Sequence, residues 1–335
     1  FFGPAILIWL VAVPKLRRWL SSPWPSLGGM VAFAVCAPVI RWNAEHHWVS
    51  FIKQFGRARI AHLTWRYIVE IVPTQVLFAS PLVFVLGAMG LYAMARGRGG
   101  AYAARALLSA VIWTIVLYFT WHSLHARVEA NWFGPIYPAS AIAAAMAAHV
   151  VTWDGRADRL ARFSLRWAAP VGITMFALLV IQANTGLLSG YRRDATVRSI
   201  GVGWRDLAPQ IEAARARAGA ACVLAEDYGT TSWLMFYLPK TTCVAQYNER
   251  IRWVNAPPPD VAALRGKLLL VHEAKPDLLA KLARRFARIE TVAEVTRKRG
   301  PLVIETYQLT LLDGATGEVL DNTPPPEMGG DGSSQ

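Results

Sequence analysis

The residues best equipped for chemistry stand in polar stretches wedged against apolar ones. The first is His125-Ala-Arg127-Val-Glu129-Ala-Asn131-Trp132, set between the apolar runs 106–121 and 135–151. Charged side chains this close to membrane-grade sequence are costly and need a cavity, a partner or a function. His125, Arg127, Glu129 and Asn131 recur at every second position, which on an extended segment puts all four on one face. There Arg127 would hold an anionic group while Glu129 and Asn131 hydrogen-bond hydroxyls. The competing reading is an intraloop Arg127–Glu129 pair, with Trp132 as an interfacial anchor and Pro135 opening the next helix. The second stretch is Arg41-Trp-Asn43-Ala-Glu45-His46-His47-Trp48-Val-Ser-Phe51. Trp42, Trp48 and Phe51 suit an interfacial belt, whereas Asn43, Glu45 and His46 would line a polar cavity. Adjacent histidines without a helically spaced His or Glu companion do not make a metal site, so none is predicted. Lys53, Arg57 and Arg59 follow. They either snorkel to lipid headgroups or bind phosphate, Lys as a point charge and Arg as a fork.

The elements that must position these groups are apolar and long. The chain has 335 residues, 54% hydrophobic, with 14 Trp. Its charges divide near Ser189. The first 188 residues carry 16 Lys and Arg against five carboxylates, and the rest carry 19 against 17. The basic excess therefore sits in short loops between apolar runs, which argues against nucleic-acid binding. Candidate membrane spans are 1–13 (partial), 27–41, 72–95, 105–122, 134–152 and 167–188. The first run is short of the roughly 20 residues a span needs, so residue 1 is expected to fall inside a helix of a longer protein. Connectors 14–26, 96–105 and 152–166 are short and basic, which places them in the cytoplasm. Segments 42–71 and 123–133 and the C-terminal half then face outward. The fold class is a polytopic α-helical membrane protein with a C-terminal extracytoplasmic α/β domain, divided as 1–188, 189–321 and a disordered Pro/Gly/Ser-rich tail 322–335.

In the C-terminal half, helical spacing covers 204–218, and short apolar strands are expected at 221–225, 242–246 and 267–272. A helix follows at 275–287, and a hairpin joins 289–297 to 302–312. This alternation predicts a largely parallel sheet with an antiparallel edge. Asp227 and Tyr228 follow the first strand, where open α/β sheets bind ligands, although an acid there also caps the next helix. Cys222 and Cys243 lie in consecutive strands, and a disulfide joins them if those strands are neighbours. Cys36 lies within a span and reads as a small apolar residue.

Three motifs carry a resemblance. Pro38-Val-Ile-Arg-Trp42-Asn43-Ala-Glu45-His46-His-Trp48-Val-Ser-Phe51 with Gln54-Phe-Gly-Arg57 resembles the second half of bacterial glycosyltransferase family 39 proteins. These are similar to protein mannosyltransferases and lipid A aminoarabinose transferases, the polyprenyl-phosphate-sugar enzymes of GT-C fold. Val128-Glu129-Ala-Asn131-Trp132 with Pro135, Tyr137 and Pro138 resembles a later periplasmic hinge of that family. Asp227-Tyr228-Gly-Thr230, Phe236-Tyr-Leu-Pro239 and Gln246-Tyr-Asn248-Glu-Arg250 resemble its bacterial C-terminal domain. The resemblance implies transfer of a sugar from a polyprenyl-phosphate carrier to a lipid, glycan or protein acceptor at the outer face of the bacterial inner membrane. Donor phosphate or acceptor would meet Lys53, Arg57, Arg59, Arg127, Glu129, Asn131, Asn43, Glu45 and His46, and an acceptor would also meet Asp227 and Tyr228. The family's general base would lie upstream of Phe1, so these residues by themselves are expected to be inactive. No cofactor is called for by the sequence, and dependence on a divalent metal stays open. The alternative is a transporter or flippase of lipid-linked glycans, which predicts Gly- or Pro-broken helices in matching halves.

Overall fold

The computed structural model describes residues 1–56, 63–187, 198, 200–274 and 276–320. The chain is mostly helical, with three long apolar helices and a C-terminal mixed sheet. It forms two compact units, one over Phe1–Phe176 and one beginning at Ala177. The tail expected to be disordered lies outside the described residues.

The first unit is built from α1 (Phe2–Ala12), α2 (Pro23–Glu45), α3 (Val49–Gly56), α4 (Arg66–Ala79), α5 (Pro81–Ala95), α6 (Tyr102–His122), α7 (Tyr137–His149) and α8 (Gly155–Thr185). The last turns of α8 group with the second unit. α2, α6 and α8 are long and apolar enough to cross a membrane. The α2 window has no buried share within the protein, and that of α8 only 6%. A helix that is apolar all round yet exposed has no aqueous partner for its side chains, which suits lipid. The apolar run 27–41 proves to be the middle of a longer helix, because polar residues 42–45 continue the same turns.

The expected single span 72–95 is a correction. It is two helices, α4 and α5, bent by 107°. Ser80 at the corner has φ 66°, and Pro81 opens α5. Proline lacks the N–H that would continue the helix, and it drives the preceding residue out of helical geometry. Averaged hydropathy is blind to such a corner.

Within the unit, α5 and α7 cross closely. A Cβ on Gly90 would lie 2.1 Å from the Ala143 carbonyl oxygen. Small residues at such crossings let backbones approach, which replaces hydrophobic drive as the source of packing between apolar helices. α1 is stapled to the start of α6, where the Trp9 indole N–H donates to the Ala103 carbonyl (2.8 Å) and Tyr102 Oη to that of Ala12 (3.1 Å).

The second unit is an α/β fold. Its elements are α9 (Trp204–Ala218), β1 (Cys222–Ala225), α10 (Tyr228–Tyr237), β2 (Cys243–Gln246), α11 (Val261–Arg265), β3 (Leu268–His272), α12 (Pro276–Leu282), β4 (Phe286–Arg299) and β5 (Leu302–Ala315). The sheet runs β2-β1-β3-β5-β4, with β1 parallel to β2 and β3, and β5 antiparallel to β3 and β4. Helix α12 is shorter than the expected 275–287, because Phe286 already begins β4. The two faces of the sheet are covered differently. Val223, Ala225, Leu269 and Val271 pack with α9 and α10, while Leu224, Leu268 and Leu270 pack with Leu278 and Leu282 of α12. Alternate strand residues thus bury to opposite sides, as a two-sided parallel core requires.

Cys222 and Cys243 stand opposite one another in the β1–β2 register. A disulfide joins them, with a Cα–Cα distance of 4.6 Å.

Candidate functional site

The hinge after α6 is not an extended strand. Residues 123–126 turn, 127–129 run straight, and Ala130–Ile136 form a 3-10 segment. The period-two face expected for His125, Arg127, Glu129 and Asn131 therefore does not form. His125 is buried, whereas Arg127, Glu129 and Asn131 are exposed. The His125 ring sits edge-on to Trp121 and to His122. Burial lowers its pKa, and a hydrogen bond to the Trp121 backbone offsets part of that shift. It is an aromatic-nest histidine, neutral near pH 7.

What holds the hinge is α4. Arg127 Nε donates to Glu70 Oε2 at 3.0 Å. Gln75, almost wholly buried, donates from Nε2 to the Ala130 carbonyl (3.1 Å) and accepts from Tyr137 Oη (2.6 Å). The Thr64 N–H donates to the Leu124 carbonyl at 2.6 Å. The carboxylate that pairs with Arg127 is thus 57 residues away in sequence and not the neighbouring Glu129. Sequence reasoning gave Glu70 and Gln75 no role and met Tyr137 only in the hinge motif. The available signal was a carboxylate and an amide five residues apart on a largely apolar stretch. The Arg127 side chain remains 67% exposed, so its guanidinium is oriented but still open to an anion.

The Arg41–Phe51 stretch serves local structure. Asn43 is buried. Its Nδ2 donates to the Val39 carbonyl (2.9 Å) and its Oδ1 accepts from the Ser50 N–H (3.2 Å), which ties the end of α2 to the start of α3. Glu45 pairs with Arg41 one turn back at 2.8 Å. His46 stacks on Trp42, and its Nδ1 lies 2.7 Å from the Trp42 carbonyl. The three side chains expected to line a cavity have these partners instead. Lys53 lies on α3 with its side chain outside the described residues, as are Arg57 and Arg59. Among the described residues no group of three His, Cys, Asp or Glu could hold a metal ion.

In the second unit, Asp227 caps α10, its Oδ1 accepting from the Thr230 N–H at 2.8 Å. The capping alternative accounts for this carboxylate. Tyr228 is exposed and packs against Trp253, with ring centroids 5.4 Å apart. Nearby, Arg198 bridges Glu273 (2.8 Å) and Glu305 (2.5 Å), and Arg297 reaches Glu305 Oε2 at 2.7 Å. The Tyr307 hydroxyl donates to the same Oε2 at 2.6 Å. Burial, then the Glu305 charge, raises the Tyr307 pKa, so it stays a phenol. Burial alone would lower the Arg198 pKa, but Glu305 and Glu273 outweigh it and hold the guanidinium charged. His272 has a partner at both ring nitrogens: Nδ1 donates to the Glu273 carbonyl (2.7 Å), and Nε2 lies 2.9 Å from the Thr310 hydroxyl.

Compared with known protein families, curated proteins and solved structures, the chain matches none of them.

Proposed function

We infer that this chain is part of a membrane glycosyltransferase that moves a sugar from a polyprenyl-phosphate carrier to an acceptor at the outer face of a bacterial plasma membrane. The observation that carries the reading is Arg127, an exposed guanidinium oriented by Glu70 at the polar end of helices whose flanks suit lipid. Sugar transfer from such a donor needs positive charge on the departing phosphate and a base for the acceptor hydroxyl. Arg127 supplies the first, with Lys53, Arg57 and Arg59 as further cations on the same predicted side of the membrane. None of the residues named here is assigned the second role. Glu70 accepts from the Arg127 guanidinium and so acts as its positioning group. A polyprenyl chain would lie along the exposed apolar helices while its phosphate reaches the hinge. Basic connectors on the opposite side, and the disulfide in the second unit, fit an oxidising outer compartment for that unit.

The test is transfer in membranes carrying the full-length protein. Arg127→Gln should lower turnover by about 100-fold, the scale of losing one charge-stabilising donor, with membrane levels unchanged. Wild-type turnover in that variant sinks the reading.

The bend at Ser80 favours a second reading, a flippase of lipid-linked glycans, because broken helices expose backbone groups to a passing polar head. Transbilayer movement of a labelled carrier in proteoliposomes, without any sugar transfer, selects it.

A further inference from the structure

The parallel strands of the second unit, β1 with β2 and β3, end where the sequence placed Asp227 and Tyr228. The connection from β1 leads through α10 on one face of the sheet, and that from β3 leads through α12 on the other. Chains that leave neighbouring parallel strands toward opposite faces part at their carboxyl ends, and open α/β sheets take ligands there. The divergence lies between β1 and β3, and on the other side of β1 the residues following β1 and β2 form an ordered platform.

Its organiser is Gln246, only 1% exposed at the end of β2. Its Nε2 donates to Asn248 Oδ1 (2.8 Å) and to the Glu226 carbonyl (3.3 Å), while its Oε1 accepts the Trp253 indole N–H at 2.6 Å. One buried amide therefore fixes the ends of both strands and the orientation of a tryptophan. Glu249 beside it adopts the left-handed conformation, φ 46°, and forms an ion pair with Arg252. The Arg252 guanidinium lies 5.6 Å from the centroid of the Tyr228 ring. Tyr228 contacts both Trp253 and Arg252, yet it remains 52% exposed.

We propose that the Tyr228–Trp253–Arg252 platform binds the ring of a neutral sugar. An immobilised aromatic face offers large apolar contact at little entropic cost, and the axial C–H face of a pyranose is the apolar surface that matches it. Planar amide, carboxylate and guanidinium groups at the rim (Asn248, Glu226, Arg252) supply directional donors and acceptors to hydroxyls. The charge balance favours an uncharged ligand over an anionic one, because Arg252 is already paired with Glu249. The binding reading stands apart from the transfer reading. If both hold, the platform is where a glycan acceptor is gripped.

The experiment is saturation-transfer NMR on the full chain in nanodiscs of deuterated lipid, with cellohexaose, maltohexaose and hexagalacturonate as probes and no donor present. Saturation should reach ring protons of a neutral hexasaccharide. Tyr228→Ala should weaken that signal about 5-fold, the scale of one aromatic contact, while Tyr228→Phe and Phe236→Ala, an exposed aromatic off the platform, keep it. No transfer to either neutral probe, equal transfer in Tyr228→Ala, or a preference for hexagalacturonate overturns the proposal. Because no sugar is transferred in the measurement, an inactive transferase leaves the result intact.

Discussion

Phe33 in the first unit and Leu224 in the second are both large apolar side chains, yet the first is 66% exposed and the second fully buried. The contrast runs through both units. In the first, apolar residues cover the outside, and the inside combines a small cluster of large side chains, Ile112, Ile115, Phe119 and Phe133, with close approach of small ones, Gly90 against Ala143. In the second, leucines and valines fill two cores, one on each side of a sheet, and the charges lie outside or in a paired network around Glu305. The two plans suit two different solvents. Water drives apolar groups inward, whereas lipid is as apolar as the side chains themselves, so packing rather than burial must hold helices together.

That comparison can be broken at its tightest point. Gly90→Val should cost more than about 3 kcal/mol, because its side chain would have to displace backbone rather than a flexible neighbour. Thermal unfolding in detergent, or loss of folded yield, reads it. The second unit is held differently. Replacing Cys222 and Cys243 together by Ser should cost about 3 kcal/mol by chain entropy, visible as a lowered denaturant midpoint for the second unit alone. A substitution of one kind in each unit sharpens the contrast further. Phe33→Arg should raise the cost of membrane insertion by about 2.5 kcal/mol, while Val303→Arg, exposed on the second unit, should change stability by under about 0.5 kcal/mol. Equal effects would mean that the two surfaces meet the same solvent.

The smallest effect concerns pH. Hydrogen bonding from Arg215 holds the Glu212 pKa below its ordinary value, with burial opposing. Its folded-state pKa is depressed, so its contribution is complete above the unfolded carboxylate pKa and disappears as pH falls through the folded one. Glu212→Gln should flatten the acid limb of stability against pH by slightly lowering stability at neutral pH, and leave stability below the folded-state pKa nearly unchanged.

Much of this division was legible in the residues. Apolar length marked the long helices, and short apolar runs marked the strands, so two cysteines in consecutive strands could be read as a pair if those strands were neighbours. What escaped was whatever depends on a corner or a distant partner. The α4–α5 bend hides in a run whose mean hydropathy is uniform, although Pro81 was its local sign. Arg127 has a carboxylate two residues away at Glu129 and chooses another 57 residues away, because the hinge turns rather than extends. Asn43 reads as a cavity residue by type, but its two hydrogen bonds tie one helix to the next. Tyr228 was visible at its strand end. Trp253, Gln246 and Arg252, which make it part of a surface, become neighbours only when β1 and β2 pair.

The disulfide between Cys222 and Cys243 spans 21 residues, and all of α10 lies inside the loop that it closes. A protease cutting anywhere along that loop leaves two pieces still covalently joined, with Tyr228 retained on one of them. For this unit, damage there would be a nick rather than a loss.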